Sequence, residues 1–354
     1  MNGMNGMMKK MKKWLACGAI VTASAVLLAG CGGQNTDKSS GSAAGSGDKI
    51  VAYGVIDPQI SAQQIIADKK GYFKEEGLNV ENKFVQAGGD ISPLISGGEA
   101  QVSFESPYTD IAVAANGVGV KIVAPMADIG NTQCVVARKD ANIVNAKDLE
   151  GKKIGMAAGS GVLIAIRNMC KEMNVDVNKI QFVTLSPSDQ IAAMEHGDID
   201  AMACWEPWVS NAQKSGGKLL FSGLKSYLGD KQGDVQWLSF YTTMQVTDSF
   251  LKQHPEQVQA MLRALKKATA FINEHPDEAA EIIAKEINLD KDQVKKIMAQ
   301  NQYKMDFDAH FQSSCDEMAA FMHEMKNIPS KPEFSKYADP KALKSVDASL
   351  VTVK

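Results

Sequence analysis

From Lys49 onward, short runs rich in apolar and β-branched residues alternate with stretches whose apolar positions recur every three to four residues. The first kind predicts strands over 50–56, 78–85, 102–104 and 121–124. The second predicts helices over 61–70, capped by Ser61, and over 90–96 and 108–116. Helices of about ten residues between such strands imply βαβ units and a mostly parallel sheet covered on both faces. The alternation then repeats, with a strand over 132–138 carrying the chain into a second unit. Further strands are predicted over 153–156, 180–185, 201–204 and 218–221, and helices over 161–173, 189–196 and 206–214. A β-rich run over 237–246 is long enough to cross back, and the patterns after it are helical, over 256–273, 276–286 and 290–299. The expected fold class is therefore α/β with two lobes, the second inserted between the halves of the first. Residues 49–131 form the first part of lobe 1, 132–239 form lobe 2, and 240–354 form the rest of lobe 1 with C-terminal helices. A cleft between lobes is where ligands prefer to bind, and the crossings near 128–132 and 237–241 are the expected hinges.

Composition narrows the class without changing this picture. The 354 residues are 45% hydrophobic and 22% charged, which excludes a disordered, collagen-like or coiled-coil chain. A formal net charge of -3 argues against nucleic acid as the main partner. The charge is uneven. Residues 1–30 hold four lysines and no acid, so the remainder of the chain carries -7.

That basic end reads as an export signal. Lys9, Lys10, Lys12 and Lys13 precede a largely apolar stretch from Trp14 to Ala29, short for a membrane span. It ends in Leu27-Leu28-Ala29-Gly30-Cys31, which resembles the lipobox of bacterial lipoproteins, with Cys31 as the lipidated residue. Residues 31–48 then supply a Gly- and Ser-rich tether with a reach of roughly 20–25 Å. The expected location is a membrane surface, on the extracytoplasmic side, held by a lipid anchor. Beyond the signal and Cys31 there are four cysteines, Cys134, Cys170, Cys204 and Cys315, with no CxxC spacing. They read as buried free thiols, with Cys134 and Cys204 the one pair whose predicted strands share a lobe. Five scattered histidines show no ligand spacing, so neither a metal nor any other cofactor is expected.

Four runs carry a family resemblance. Gly71-Tyr72-Phe73-Lys74-Glu75-Glu76-Gly77-Leu78-Asn79-Val80-Glu81 is similar to a segment in which a helix stops and the second strand begins. Leu94-Ile95-Ser96-Gly97-Gly98-Glu99-Ala100-Gln101-Val102 resembles a Gly-Glu-x-Asp turn, with Gln101 in place of the acid. Asp148-Leu149-Glu150-Gly151-Lys152-Lys153-Ile154-Gly155 precedes Gly159-Ser160-Gly161, and Ala192 to Ala201 leads into Cys204-Trp205-Glu206-Pro207-Trp208. In this order, behind a lipobox and a tether, they resemble the substrate-binding proteins of ABC importers for nitrate, sulfonates, taurine and thiamine-pyrimidine precursors. The resemblance implies the type II periplasmic-binding-protein fold, a small-molecule ligand, and a permease with its ATPase as partners. It implies a receptor and not an enzyme. The rivals are an enzyme using the same cleft, since thiamine-pyrimidine synthases look similar in fold, and a ligand-sensing ectodomain. No nucleophile elbow or phosphate loop stands in the sequence.

Ligand contacts are expected at strand ends and helix starts facing the cleft. Ser160 and Gly161 open a helix whose N–H groups suit an anion, although a simple helix cap has the same look. Gly89 with Asp90, and Ser106 ahead of Pro107, offer similar places in lobe 1. Trp205 is either core packing or a cover over a ligand, with Glu206 beside it, and Glu105 and Asp57 complete the candidates. These carboxyls have no neighbouring cation in sequence, and the chain has only Arg138, Arg167 and Arg263 to supply a clamp. An acid beside a buried anion is costly unless the ligand bears a donor or a positive charge. The expected ligand is a zwitterion such as an aminosulfonate, or a neutral heterocycle, ahead of bare nitrate.

Overall fold

A computed structural model describes residues 49–157 and 160–353. The expected signal, tether and lipidated Cys31, and Gly159 of the Gly-Ser-Gly run, lie outside the described residues.

The strands are β1 (Ile50–Val55), β2 (Val80–Val85), β3 (Val102–Glu105), β4 (Val120–Asp128), β5 (Gln133–Ala137), β6 (Lys153–Met156) and β7 (Gln181–Thr184). They continue as β8 (Ala201–Trp205), β9 (Lys218–Ser222), β10 (Lys225–Leu228), β11 (Lys231–Asp234), β12 (Tyr241–Thr247) and β13 (Gln302–Tyr303). One sheet has the order β13-β4-β12-β3-β1-β2 and the other β11-β10-β9-β5-β8-β6-β7. This is a two-lobe α/β fold in which the first sheet draws on chain segments from both sides of the second. Strand β1 is buried at every position but Val51, because helices cover both faces of its sheet.

The expected mostly parallel sheets are not found. Among the described strands only β1 with β2, β1 with β3, β6 with β7 and β6 with β8 run parallel. The reason lies in the crossings. Strand β12 returns from lobe 2 against the grain of lobe 1 and inserts between β3 and β4, antiparallel to both. Strand β5 does the same in lobe 2, between β8 and β9. The two crossing segments lie side by side, with the Ile129 N–H donating to the Phe240 carbonyl at 2.7 Å. Gly130 is needed there, since a Cβ on it would stand 2.7 Å from the Leu238 carbonyl oxygen.

Local rules account for the helix boundaries around the cleft. Pro107 and Pro187 open Pro107–Ala115 and Pro187–His196 at their first turns, where a missing N–H costs nothing. The latter ends at Gly197, whose φ of 81° is the left-handed cap geometry. Ser61, expected to cap Ala62–Lys69, instead donates its hydroxyl to the Val55 carbonyl at 2.6 Å. Among the described residues no helix is long and apolar enough to cross a membrane. All four described cysteines are free and buried, and Cys134 and Cys204 stand opposite each other on β5 and β8.

Candidate functional site

A narrow cavity of about 40 Å³ lies where the ends of strands from both lobes converge. On the scale of 10–15 Å³ per water it holds about three waters, which suits a compact solute. Lobe 1 contributes Asp57 and Ile60 after β1, Ala87, Gly88 and Gly89 after β2, Ser106 and Thr109 after β3, and Ile129 after β4. Lobe 2 contributes Gln133 at the start of β5, Ser160 and Gly161 after β6, and Trp205 at the end of β8, while Phe240 stands on the returning crossing. Strand ends and the helix start at Val162 expose backbone there, which is why a ligand is favoured at this place in the fold.

The unpartnered polar atoms of this cavity divide by lobe. Asp57 is 1% exposed, and its Oδ1 accepts the N–H groups of Gln59 at 2.8 Å and Ile60 at 2.7 Å. Its Oδ2 is buried without a partner. Burial pushes the Asp57 carboxyl up to about 7, against the pull of those two N–H groups. Across the cleft, the Ser160 hydroxyl and the Trp205 indole N–H are also buried without a partner. A buried polar atom left unmatched costs about 1–3 kcal/mol, so three of them around one cavity make it the candidate site, where water or a solute can match them.

Of the expected contacts, Asp57, Gly89, Ser106, Ser160, Gly161 and Trp205 come together at the cavity. Three do not line it. Asp90 accepts the Ala87 N–H at 3.1 Å and so closes the turn that presents Gly88 and Gly89. Glu105 is fully buried inside lobe 1, accepting from Ser103 at 2.8 Å and Gln245 at 3.2 Å. Burial, and then Asp110 beside it, push its carboxyl well up; burial likewise takes Asp110 to about 7. The Glu206 carboxyl turns back to accept the Ser210 N–H and hydroxyl, both at 2.9 Å, and burial raises it against those bonds. Its carbonyl has the inter-lobe role, accepting the Gln59 side-chain N–H at 3.0 Å.

Thr109, Gln133 and Phe240 line the cavity and were missed by sequence reasoning, as was Gln59, which bonds across the lobes. Gln59 was detectable as a polar residue four places after the end of β1, and the others had no local signal. The Phe240 ring explains Gly161: an added Cβ would stand 1.9 Å from it. The arginines are all engaged elsewhere, Arg138 with Asp140 and Asp200, Arg167 with Glu324, and Arg263 with Glu76. Among the described residues no Lys, Arg, His or Cys lines the cavity.

Two lobes, a cleft between strand ends and paired crossings define the fold of the periplasmic binding proteins. The chain belongs to the NMT1/THI5-like family, which matches residues 60–279. A Bacillus subtilis (strain 168) protein named for binding aliphatic sulfonates is 27% identical over 297 residues, 81% of this chain and 82% of that protein. The taurine-binding periplasmic protein of Escherichia coli (strain K12) is 26% identical over 206 residues, 58% of this chain and 61% of that protein. An enzyme is also related: a 4-amino-5-hydroxymethyl-2-methylpyrimidine phosphate synthase of Saccharomyces cerevisiae is 27% identical, over 70% of this chain and 72% of its own. Among solved structures, the periplasmic aliphatic sulphonate binding protein SsuA from Escherichia coli has a TM-score of 0.69 at 16% identity, covering 83% of this chain and 98% of its own. That likeness is one of fold.

Proposed function

We propose that this protein is the extracytoplasmic solute-binding lipoprotein of an ABC importer. It captures a small organic anion or zwitterion of the sulfonate and taurine type, closes its lobes on it, and delivers it to the permease. The observation that carries this reading is the cavity shared by both lobes, with three buried polar atoms that have no partner in the protein and are open to a ligand. The names of the bacterial relatives support the solute class, and Leu27 to Cys31 supports the lipid anchor. Binding without chemistry is supported by the names of those relatives, which are binding proteins. Closure is a hinge motion driven by the ligand's preference for the closed form, and 128–132 with 237–241 are its proposed pivots.

A second reading, a pyrimidine-type heterocycle, is favoured by the two aromatic walls Trp205 and Phe240. A thermal-shift panel on the purified protein separates the two, with taurine, alkanesulfonates, nitrate and aminopyrimidines. A ligand at 100 times its dissociation constant stabilises by about 2.7 kcal/mol. A shift confined to sulfonates supports the first reading and one confined to pyrimidines the second. Turnover of any bound compound sinks the receptor assignment.

A further inference from the structure

The cavity has a chemical direction that its family membership does not specify. Lobe 1 lines the cavity with the Ser106 and Thr109 hydroxyls and with Asp57. The buried atom left unmatched among these residues is a carboxylate oxygen, Asp57 Oδ2, which can only accept while ionised. Its orientation is set from behind, because Oδ1 is held by two backbone N–H groups in the turn after β1. On lobe 2, the unmatched atoms are a hydroxyl and an indole N–H, Ser160 and Trp205, and the Val162–Glu172 helix begins just past Gly161. The indole N–H only donates, and a helix start favours negative charge. No cation from the protein stands among the described lining residues to match Asp57.

We propose that Asp57 is the specificity-determining residue of this cleft, reading a protonated or N–H-bearing nitrogen on the ligand, while Ser160 and Trp205 hold the ligand's anionic or acceptor end. The ligand thus lies across the cleft, nitrogen to lobe 1 and acid group to lobe 2, and its two ends bridge the lobes. This rests on the reading of the cleft as a solute site and goes further by fixing which functional group the solute must carry. A nitrogen-free acid of the same size offers Asp57 no donor and must either face its charge or drive its protonation, so it binds more weakly. Leaving a buried carboxylate unmatched discriminates against the wrong solute as much as its hydrogen bond favours the right one.

The test is calorimetric titration of the purified protein with matched pairs: taurine against ethanesulfonate, β-alanine against propionate, and an aminopyrimidine against its methylpyrimidine, which has no N–H. The expected result is at least a tenfold preference for the amino-bearing member of whichever pair binds. Asp57→Asn, which keeps an acceptor for the Gln59 and Ile60 N–H groups, should reduce that preference at least tenfold. It should do so by weakening the amino-bearing member and leaving the other unchanged or tighter. If the aminopyrimidine alone binds and depends on Asp57, the sulfonate reading falls while the role of Asp57 stands. Equal affinities within every pair, binding of the members without an amino group only, or no binding in any pair overturns it. So does an equal loss for both members in Asp57→Asn. If the variant does not fold, the wild-type pairs decide alone.

Discussion

The two walls of the cleft solve one problem by opposite means. Lobe 1 carries buried carboxyls, Asp57 at the surface of the cavity and Glu105 with Asp110 behind it, all held up by burial with no cation beside them. Lobe 2 carries donors on a rigid frame, where Gly161 is pressed against the Phe240 ring and Trp205 packs on the cluster of Cys134, Met194 and Cys204. The difference teaches that a pocket can be polarised without any basic side chain. Turn geometry aims an acceptor from one side, and a helix start with an indole aims donors from the other.

The largest effect should come from crowding the rigid wall. Gly161→Val places new atoms inside the Phe240 ring, and overpacking of this kind costs about 1–3 kcal/mol of stability and weakens binding, because the ring that walls the cavity must move. In Gly88→Ala the new Cβ meets the Thr109 hydroxyl at 2.8 Å, a single side-chain atom with room to turn, so its loss should be several times smaller. Titrations of the two variants compare the walls directly, and equal losses would erase the contrast.

Next comes pH. The lobe 1 carboxyls have folded-state pKa values above their unfolded ones, so the fold favours their protonated forms. Their contribution to stability is full below about 4 and falls as pH rises toward 7. The empty protein should melt higher at pH 5 than at pH 8, by on the order of 1–4 kcal/mol at about 1.4 kcal/mol per pKa unit. Glu105→Gln with Asp110→Asn should flatten that dependence. Tyr303 and Cys204, the other titratable groups in the surroundings of Asp57, are held neutral by burial. An ammonium ligand should therefore give a larger melting shift at pH 8 than at pH 6, as Asp57 ionises.

A smaller effect is expected at the bond joining the walls. Gln59→Ala removes the contact to the Glu206 carbonyl, worth about 1 kcal/mol, so affinity should fall about fivefold in titration. The smallest concerns the thiols: Cys134 and Cys204, whose thiols burial holds protonated, should resist alkylation of the folded protein until denaturant is added.

Much of this contrast was legible in sequence, and the rest was hidden for physical reasons. Ser160, Gly161 and Trp205 were visible because small residues and an aromatic at strand ends have few other local uses. Glu105 was misleading because β3 is buried at all four positions, so no alternation shows which face a side chain takes. Phe240 and Gln59 matter only through the crossings and the inter-lobe bond, which bring together residues far apart in the chain. The parallel-sheet expectation failed at β5 and β12 for the same cause. The β10–β11 hairpin did leave a sign, Gly229-Asp230 between the paired Leu228 and Lys231, as did Asp308, which caps Ala309–Glu324 by accepting the Phe311 N–H at 2.8 Å.

The insertion of β12 between β3 and β4 also dictates an order of assembly. Every strand of the second sheet lies within residues 133–234, whereas the first sheet has an empty slot at its centre until residue 247 is available. A chain emerging from its amino end therefore delivers a complete second lobe while the first still exposes two unpaired strand edges. Such edges invite aggregation. The wait for contacts between residues so distant in sequence makes lobe 1 the slower half to form.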